Sequence, residues 1–384
     1  MLAPVKRGAG TMQRIYLAFA IPAVLLLTYL TSLYRSSVMP VLLGVLLGLA
    51  FHHAEFGFTG AYRRMMETGE VRLVQAQLLL LAVTTLLFAP FLALGSFNGI
   101  SIVGAVAPLS LGVAAGAFLF GIGMQLAGGC GSGTLCGFGS GNSRLFFTMI
   151  TFCFGGWIAT LHAGWWESFP AWDAPALGEM LGWPQAVALQ LAIFGGLWWA
   201  SKRWGKDNTQ PIPQNFTLLR GPWPLFATML LVALLNLGIL IETGHPWSIT
   251  WAFTLWGAKT AALLGWDPRS SIFWDNDYRL DMLHASVFAD ETSVMDLAII
   301  LGSVMAASLA GKLEPNFRVA WLPLFAALFG GLLMGYGSRI AYGCNIGAFL
   351  SGVSSTSLHG WLWIIAALPG SWVGIKLRRV FHVE

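Results

Sequence analysis

Charge is what this sequence has least of. Only 10% of its 384 residues are Asp, Glu, Lys or Arg, against roughly 25% in soluble domains. A chain of this size with so few charges cannot cover a water-exposed surface, so a soluble globular domain is excluded. Cysteine is scarce as well. Cys130, Cys136, Cys153 and Cys344 are too few and too scattered for a secreted disulfide framework. C-x-x-C, H-E-x-x-H, P-loop and G-x-S-x-G patterns are missing, so there is no enzyme signature, and neither a metal nor a cofactor is expected. The net charge of +4 comes from residues in short loops between apolar runs, which gives no reason to expect a nucleic-acid partner. A cleavable signal peptide is not expected either. The first apolar run is too long and lacks a small-residue cleavage site, so it reads as a span that stays.

Apolar residues are abundant instead, at 56% of the chain with a mean hydropathy of +0.70. A membrane helix needs about 20 mostly apolar residues to cross the hydrocarbon. Eleven candidate runs stand out, near 15–33, 38–54, 73–95, 102–126, 145–163, 184–200, 222–241, 247–265, 293–311, 320–341 and 360–377. Lipid offers backbone groups no partner, so spans must be helices or closed barrels. These runs are continuously apolar rather than alternating, which excludes a barrel. The expected fold is an all-α polytopic integral membrane protein. Tryptophan pairs near run ends (Trp165 and Trp166, Trp198 and Trp199, Trp361 and Trp363) read as interfacial anchors.

Basic residues set an orientation by the positive-inside rule. Lys6, Arg7 and Arg14 precede the first run; Arg63, Arg64 and Arg72 lie between the second and third; Lys202, Arg203, Lys206 and Arg220 follow the sixth. Loops of the other parity carry Glu167, Asp173 and Glu179, or no charge. Lys376, Arg378 and Arg379 follow the last run. Both termini are therefore expected in the cytoplasm. Two cytoplasmic ends require an even number of crossings, so one of the eleven runs must fail to cross. The stretch 247–290 is the candidate, because its apolar part leads into the acid-rich Asp267, Asp275, Asp277, Asp281, Asp290 and Glu291.

An internal repeat is the strongest feature. Residues 121–133 read GIGMQLAGGCGSG and residues 335–347 read GYGSRIAYGCNIG. They align without gaps at an offset of 344 − 130 = 214, with five glycine–glycine or alanine–alanine identities around the matched Cys130 and Cys344. Repeated halves with glycine-interrupted segments at corresponding positions point to a transporter's central site. The expected halves are 1–200 and 222–384, joined by a cytoplasmic linker at 201–221. An inverted repeat is expected from the orientation, with a parallel one as the alternative.

Gly-rich backbone at membrane depth is tolerated only where protein buries it or it lines a cavity. A helix broken there exposes N–H groups at the start of the next half-helix, and these attract anions. A cysteine in the turn adds a weak S–H donor on a polarizable atom. Together they suit a soft, sulfur-bearing anion, with Cys130 and Cys344 as donors and Gly129, Gly131, Gly133, Gly343, Asn345 and Gly347 shaping the turns. The competing reading is plain: Gly-x-x-x-Gly often marks helix packing, and buried cysteine is often a small hydrophobe.

The stretches LAGGCGSGTL (126–135) and YGCNIGAFLSGV (342–353) resemble the two signature motifs of the YeeE/YedE sulfur-transport family. PWSITWAFTLWGAK (246–259) and SVFADETSVMDLAIILG (286–302) are similar to its YedE-like branch. The resemblance implies uptake of thiosulfate or a related sulfur species across the bacterial inner membrane, handed along by pore-lining thiols, with a cytoplasmic sulfurtransferase-like protein as a partner. Family members often carry a third cysteine in a Phe-Cys motif, and here Gly57 stands at that place within 48–64. The substrate is therefore left open between thiosulfate and other sulfur or selenium species.

Secondary candidates are Cys136, read as a surface-loop thiol or a substitute donor, and Arg339, which corresponds in the repeat to Gln125 and either attracts the anion or snorkels. Asp296 and Lys259 lie inside apolar runs, where a structural ion pair competes with proton coupling through Asp296. Cys153 reads as core, and His52 and His53 as interfacial anchors. A membrane thiol oxidoreductase or persulfide carrier is the alternative function. A structural subunit of a larger sulfur or selenium assembly is the third.

Overall fold

The computed structural model describes residues 9–206, 217–313, 315 and 319–383. Lys6, Arg7 and the middle of the expected 201–221 linker lie outside the described residues. The helices are α1 (Ala9–Ser32), α2 (Met39–His53), α3 (Phe58–Thr68), α4 (Arg72–Leu94), α5 (Leu111–Ala127), α6 (Gly131–Gly139), α7 (Ser143–Leu161), α8 (Ala163–Glu167) and α9 (Leu177–Leu181). They continue as α10 (Trp183–Trp204), α11 (Leu225–Thr243), α12 (Thr250–Leu263), α13 (Asp277–His284), α14 (Glu291–Ala310), α15 (Trp321–Ile340), α16 (Ser351–Ser354) and α17 (Leu358–Val380). A π-helical stretch, Asn345–Leu350, leads into α16. Among the described residues, strand is confined to four two-residue pieces at loop ends. The protein is an all-α polytopic membrane protein.

Nine helical stretches among the described residues are long and apolar enough to cross a membrane, two fewer than the eleven runs read from sequence. The run at 184–200 forms α10, a helix long enough, but its tryptophans and glutamines lower its hydropathy. The run at 247–265 holds α12, whose 14 residues span about 21 Å. That falls short of a hydrocarbon core about 30 Å thick. Three of the nine stretches are composite: α2 with α3, α5 with α6, and α15 with the π segment and α16. Each contains a break inside the apolar zone.

The most extensive helix pairings link the two parts of the chain. The helix entering the first motif, α5, packs along α17, which follows the second; α15, which enters the second, packs along α7, which follows the first. Helices α5 and α15 also cross each other. A Cβ built on Gly116 would stand 2.5 Å from the Gly337 carbonyl oxygen, and one on Gly123 would stand 2.5 Å from that of Gly330. Numbers rise along one helix as they fall along the other, so α5 and α15 run antiparallel. Adding the offset of 214 to 116 and 123 gives 330 and 337, so the two contacts exchange under the repeat. Gly121 and Gly335, matched in the repeat, meet the carbonyls of Ala367 on α17 and Phe152 on α7. These six glycines thus serve close helix packing, as the competing sequence reading had it.

Gly123→Val and Gly337→Val should each lower thermal stability by about 1–3 kcal/mol, the usual penalty for forcing bulk into a packed core. Gly196→Ala, whose Cβ meets nothing within 4 Å, should be neutral or mildly stabilising. Thermal midpoints from fluorescence-detected size exclusion check all three.

Candidate functional site

Each motif is a helix end, a tight turn and a short helix capped by cysteine. In the first, α5 ends at Gly128, which has φ +83°, a conformation open to a residue without Cβ. Cys130 follows as the N-cap of α6; its carbonyl accepts from Thr134 N at 2.8 Å, and its Sγ shares a 3.4 Å hydrogen bond with Ser132 Oγ. In the second, Tyr342 takes the position of Gly128 with φ +58°, and Gly343 adopts φ +147°. Cys344 then caps the π segment. Its carbonyl accepts from Ala348 N at 3.0 Å and Phe349 N at 3.1 Å, and its Sγ accepts from Ile346 N at 3.4 Å. Trp363 Nε1 donates to the Gly343 carbonyl at 3.2 Å and braces the turn from α17.

The two motifs meet. A Cβ on Gly131, the residue after Cys130, would lie 3.3 Å from Cys344 Sγ and 3.4 Å from Ile249 Cγ2. Gly133 faces Cys130 Sγ in the same way, at 3.7 Å, and Gly347 faces Ser248 Oγ at 3.5 Å. Gly129 folds against Gly133, within its own turn. Glycine at these positions keeps the space beside both sulfurs free of side chains. Asn345 is fixed rather than free: Tyr62 O–H donates to its Oδ1 at 3.1 Å, and its Nδ2 reaches Met124 Sδ at 3.4 Å. Both thiols are buried, Cys130 at 1% exposure and Cys344 at 0%, so the centre is closed to water on both sides.

A third wall comes from Trp247–Thr250, the break that leads into α12. Sequence reasoning did not place it in the site. The signal was there in Pro246-Trp247-Ser248, a helix break before an apolar run too short to cross. Asn236 Oδ1 accepts from Trp247 N at 3.2 Å, whereas Asn236 Nδ2 and Trp247 Nε1 are buried N–H donors without a partner. Trp247 belongs to the same buried cluster as both cysteines.

Ser248 also lines a water-facing cavity of about 640 Å³. Its walls include Arg35, His245, Asp290, Glu291 and Arg339. Glu291 accepts from Arg35 Nη2 at 2.9 Å and pairs with His245 Nε2. Burial alone would lower the His245 imidazole, but the Glu291 hydrogen bond and charge outweigh it and the group is raised. A neighbouring cavity of about 320 Å³ shares Phe273, Arg279 and Arg339 with the first. The Arg279 and Arg339 guanidinium carbons sit 4.1 and 4.8 Å from the Phe273 ring centre, so two cations share one aromatic ring.

The secondary candidates divide. Arg339 lies in the wall of this vestibule. Gln125 is fully buried and structural: its Nε2 donates to Thr59 O at 3.2 Å, and its carbonyl accepts from Arg378 Nη1 at 2.6 Å. Cys136 is not a surface-loop thiol; it sits on α6, half-buried against the main core. Cys153 is likewise half-buried core on α7. Lys259 and Asp296 do not pair. Lys259 Nζ donates to the carbonyls of Met282, Leu283 and Ala285 at 2.6–2.8 Å, because these free carbonyls face it from the turns at the end of α13. Asp296 is fully buried, and neither of its oxygens has a hydrogen-bond partner. His52 Nδ1 bonds Ser140 Oγ at 2.8 Å, and His53 is buried against Trp223. Gly57 caps α3 with open space where a Cβ would stand.

A family model described as Sulphur transport matches residues 53–373. The chain is 26% identical over 360 residues to the thiosulfate transporter TsuA of Spirochaeta thermophila, covering 86% of this chain and 96% of that one. The TsuA of Escherichia coli is 26% identical over 356 residues, covering 88% and 93%. The probable transporter YedE of Escherichia coli is 31% identical over a shorter stretch of 143 residues. That stretch is 37% of this chain and spans about a third, 35%, of the YedE protein's length.

Closure of the centre has a direct chemical readout. In the folded protein a water-soluble maleimide should leave Cys130 and Cys344 unmodified, and in sodium dodecyl sulfate both should react. Peptide mass spectrometry reads the difference; rapid labelling of either thiol in the folded state would contradict the closed geometry.

Proposed function

The chain belongs to the sulphur-transport family, and on that premise we propose that it carries a small sulfur-containing anion, thiosulfate or a close chemical relative, into the cell across the bacterial inner membrane. One observation carries the reading: two glycine–cysteine turns from distant parts of the chain bring Cys344 Sγ to 3.3 Å from the Cβ position of Gly131, next to Cys130. Each thiol stands at the start of a short helix, where unpaired N–H groups and the helix dipole favour negative charge. The sulfur end of the anion meets S–H groups, and its oxygens meet backbone N–H groups and the unpartnered donors of Trp247 and Asn236.

The route begins in the vestibule. Arg279 and Arg339 draw the anion inward, and Ser248 passes it to Gly347 and the two thiols. The halves 1–200 and 222–384 act as an inverted repeat around this centre; the antiparallel, exchangeable contacts of α5 and α15 support that reading. The vestibule faces the periplasm. The opposite end, where Arg63, Arg144 and Arg378 lie within electrostatic reach of one another, faces the cytoplasm, in line with the positive-inside rule. A sulfurtransferase-like protein that consumes the anion would dock at that basic end.

Uptake of thiosulfate labelled at the outer sulfur by cells or proteoliposomes tests this. Cys130→Ala and Cys344→Ala should each reduce uptake at least about 10-fold, the effect of losing roughly 1.4 kcal/mol of binding in the passage, with the folded protein retained. Unimpaired uptake by the double variant would remove the thiols from the mechanism. Arg339→Gln should raise the half-saturating concentration on the order of 10-fold at low salt. That difference should shrink toward 1 M salt, where the screening length falls to about 3 Å; a defect indifferent to salt would argue against steering.

A further inference from the structure

Import of an anion works against an interior that is electrically negative, so it needs a compensating cation or a chemical sink. The fold contains a buried acid that the route just described does not use. Asp296 has 0% exposure and two carboxyl oxygens with no hydrogen-bond partner. An ionised carboxylate cannot persist there without a cation, so the group holds its proton in this closed state.

Helix α14 runs from this acid to the vestibule. Asp290, its N-cap, lines the vestibule, and its Oδ2 accepts from Ser293 Oγ at 2.6 Å. Ser293 is fully buried and receives Trp256 Nε1 at 2.8 Å. Asp296 follows three residues later, and residues three apart on a helix are neighbours on one face. Asp290, Ser293 and Asp296 thus form a polar row running from the vestibule into the core. Burial raises the Asp290 carboxyl above its ordinary range, against the hydrogen bonds from Ser293 that lower it.

Among the described residues, the charged and titratable groups on the elements packed against α14 have other places. Helix α12 brings Lys259, which is taken up by three carbonyls. Helix α2 brings His52 and His53 at its far end, against Ser140 and Trp223. On α1, Arg14 and Tyr29 are exposed and Tyr16 is half-buried. At the vestibule, Glu291 is held by Arg35 and His245. Among the described residues, those that remain within electrostatic reach of Asp296 are Asp290 and three thiols: Cys136 on α6, Cys153 on α7 and Cys344 in the second motif.

We propose that Asp296 is a proton-binding site that couples proton entry to anion uptake, loaded from the vestibule through Asp290 and Ser293. The proton binds the Asp296 carboxylate while the vestibule is open, crosses with the anion as the centre closes, and leaves the carboxyl once the other side opens. Nothing is oxidised or reduced. The inference rests on the transport reading above.

Proteoliposomes holding the full chain provide the test, with labelled thiosulfate and a lumenal pH-sensitive dye as probes. For the wild type, an acid-outside gradient should stimulate uptake several-fold, and added thiosulfate should acidify the lumen. Asp296→Asn, isosteric with the protonated acid, should keep thiosulfate counterflow and lose both the stimulation and the acidification. Asp296→Glu should retain them, and thermal midpoints establish that both variants are folded. Retained stimulation in Asp296→Asn would overturn the proposal, and so would loss of counterflow in that folded variant, which would assign Asp296 to anion binding or structure. A wild type with no thiosulfate counterflow at all would sink the transport reading itself, and this one with it.

Discussion

A broken helix inside a membrane leaves peptide groups that lipid cannot satisfy, and the rest of this structure is arranged around that constraint. The turns at Gly128 and Gly343 each end one helix and start another beneath the surface. Their polar groups are satisfied by the protein: Thr134 N on the Cys130 carbonyl, Ala348 N and Phe349 N on that of Cys344, and Trp363 Nε1 on that of Gly343. Such satisfaction requires close walls. Glycine at the α5–α15 crossing brings the two helices near enough for both turns to share one centre. Helices α7 and α17 then close the flanks through Phe152 and Ala367.

Much of this was legible in the chain before any coordinates. Low charge and long apolar runs gave the all-α membrane class, and the matched Cys130 and Cys344 marked the centre. Legibility ended where tertiary geometry decides. The apolar runs took in α10, whose tryptophans and glutamines leave its hydropathy low, and α12, which lies in the 247–290 stretch already expected to fail to cross and is only 14 residues long. Asp296 and Lys259 looked like an ion pair because both are ionisable residues in apolar runs. The carbonyls that take Lys259 come from the end of α13, a segment whose position no local pattern reveals. Ser248 and Trp247 join the site only because the start of α12 is folded against Gly131 and Gly347.

On the transport proposal, the donors around the centre also bear on what it would select. Thiols and indole N–H groups are weak, soft donors, while the charged residues stay in the vestibule walls. A strongly hydrated anion would exchange good hydrogen bonds with water for weaker ones and be held back by its desolvation. An anion with a polarizable sulfur terminus loses less on leaving water and gains dispersion contact with two buried sulfurs. Selection of this kind would rest on the low polarity of the proposed passage as much as on any one contact.

The two motifs also differ from each other. The first thiol has Ser132 Oγ as its partner, and the second has a backbone N–H from Ile346. The first half-helix is α-helical, whereas the second is wound as a π segment. A π turn leaves its backbone with looser hydrogen bonding than an α turn and recurs at functional sites for that reason. Tyr342, in a left-handed conformation that its repeat partner gives to glycine, holds strain on the same side. Strain and loose winding in the second motif, beside the vestibule, make that turn the easier one to rearrange. The first, with a glycine at its bend and an α-helix after it, is the stiffer partner. Opening would then begin at Cys344, with Cys130 as the fixed half of the pair.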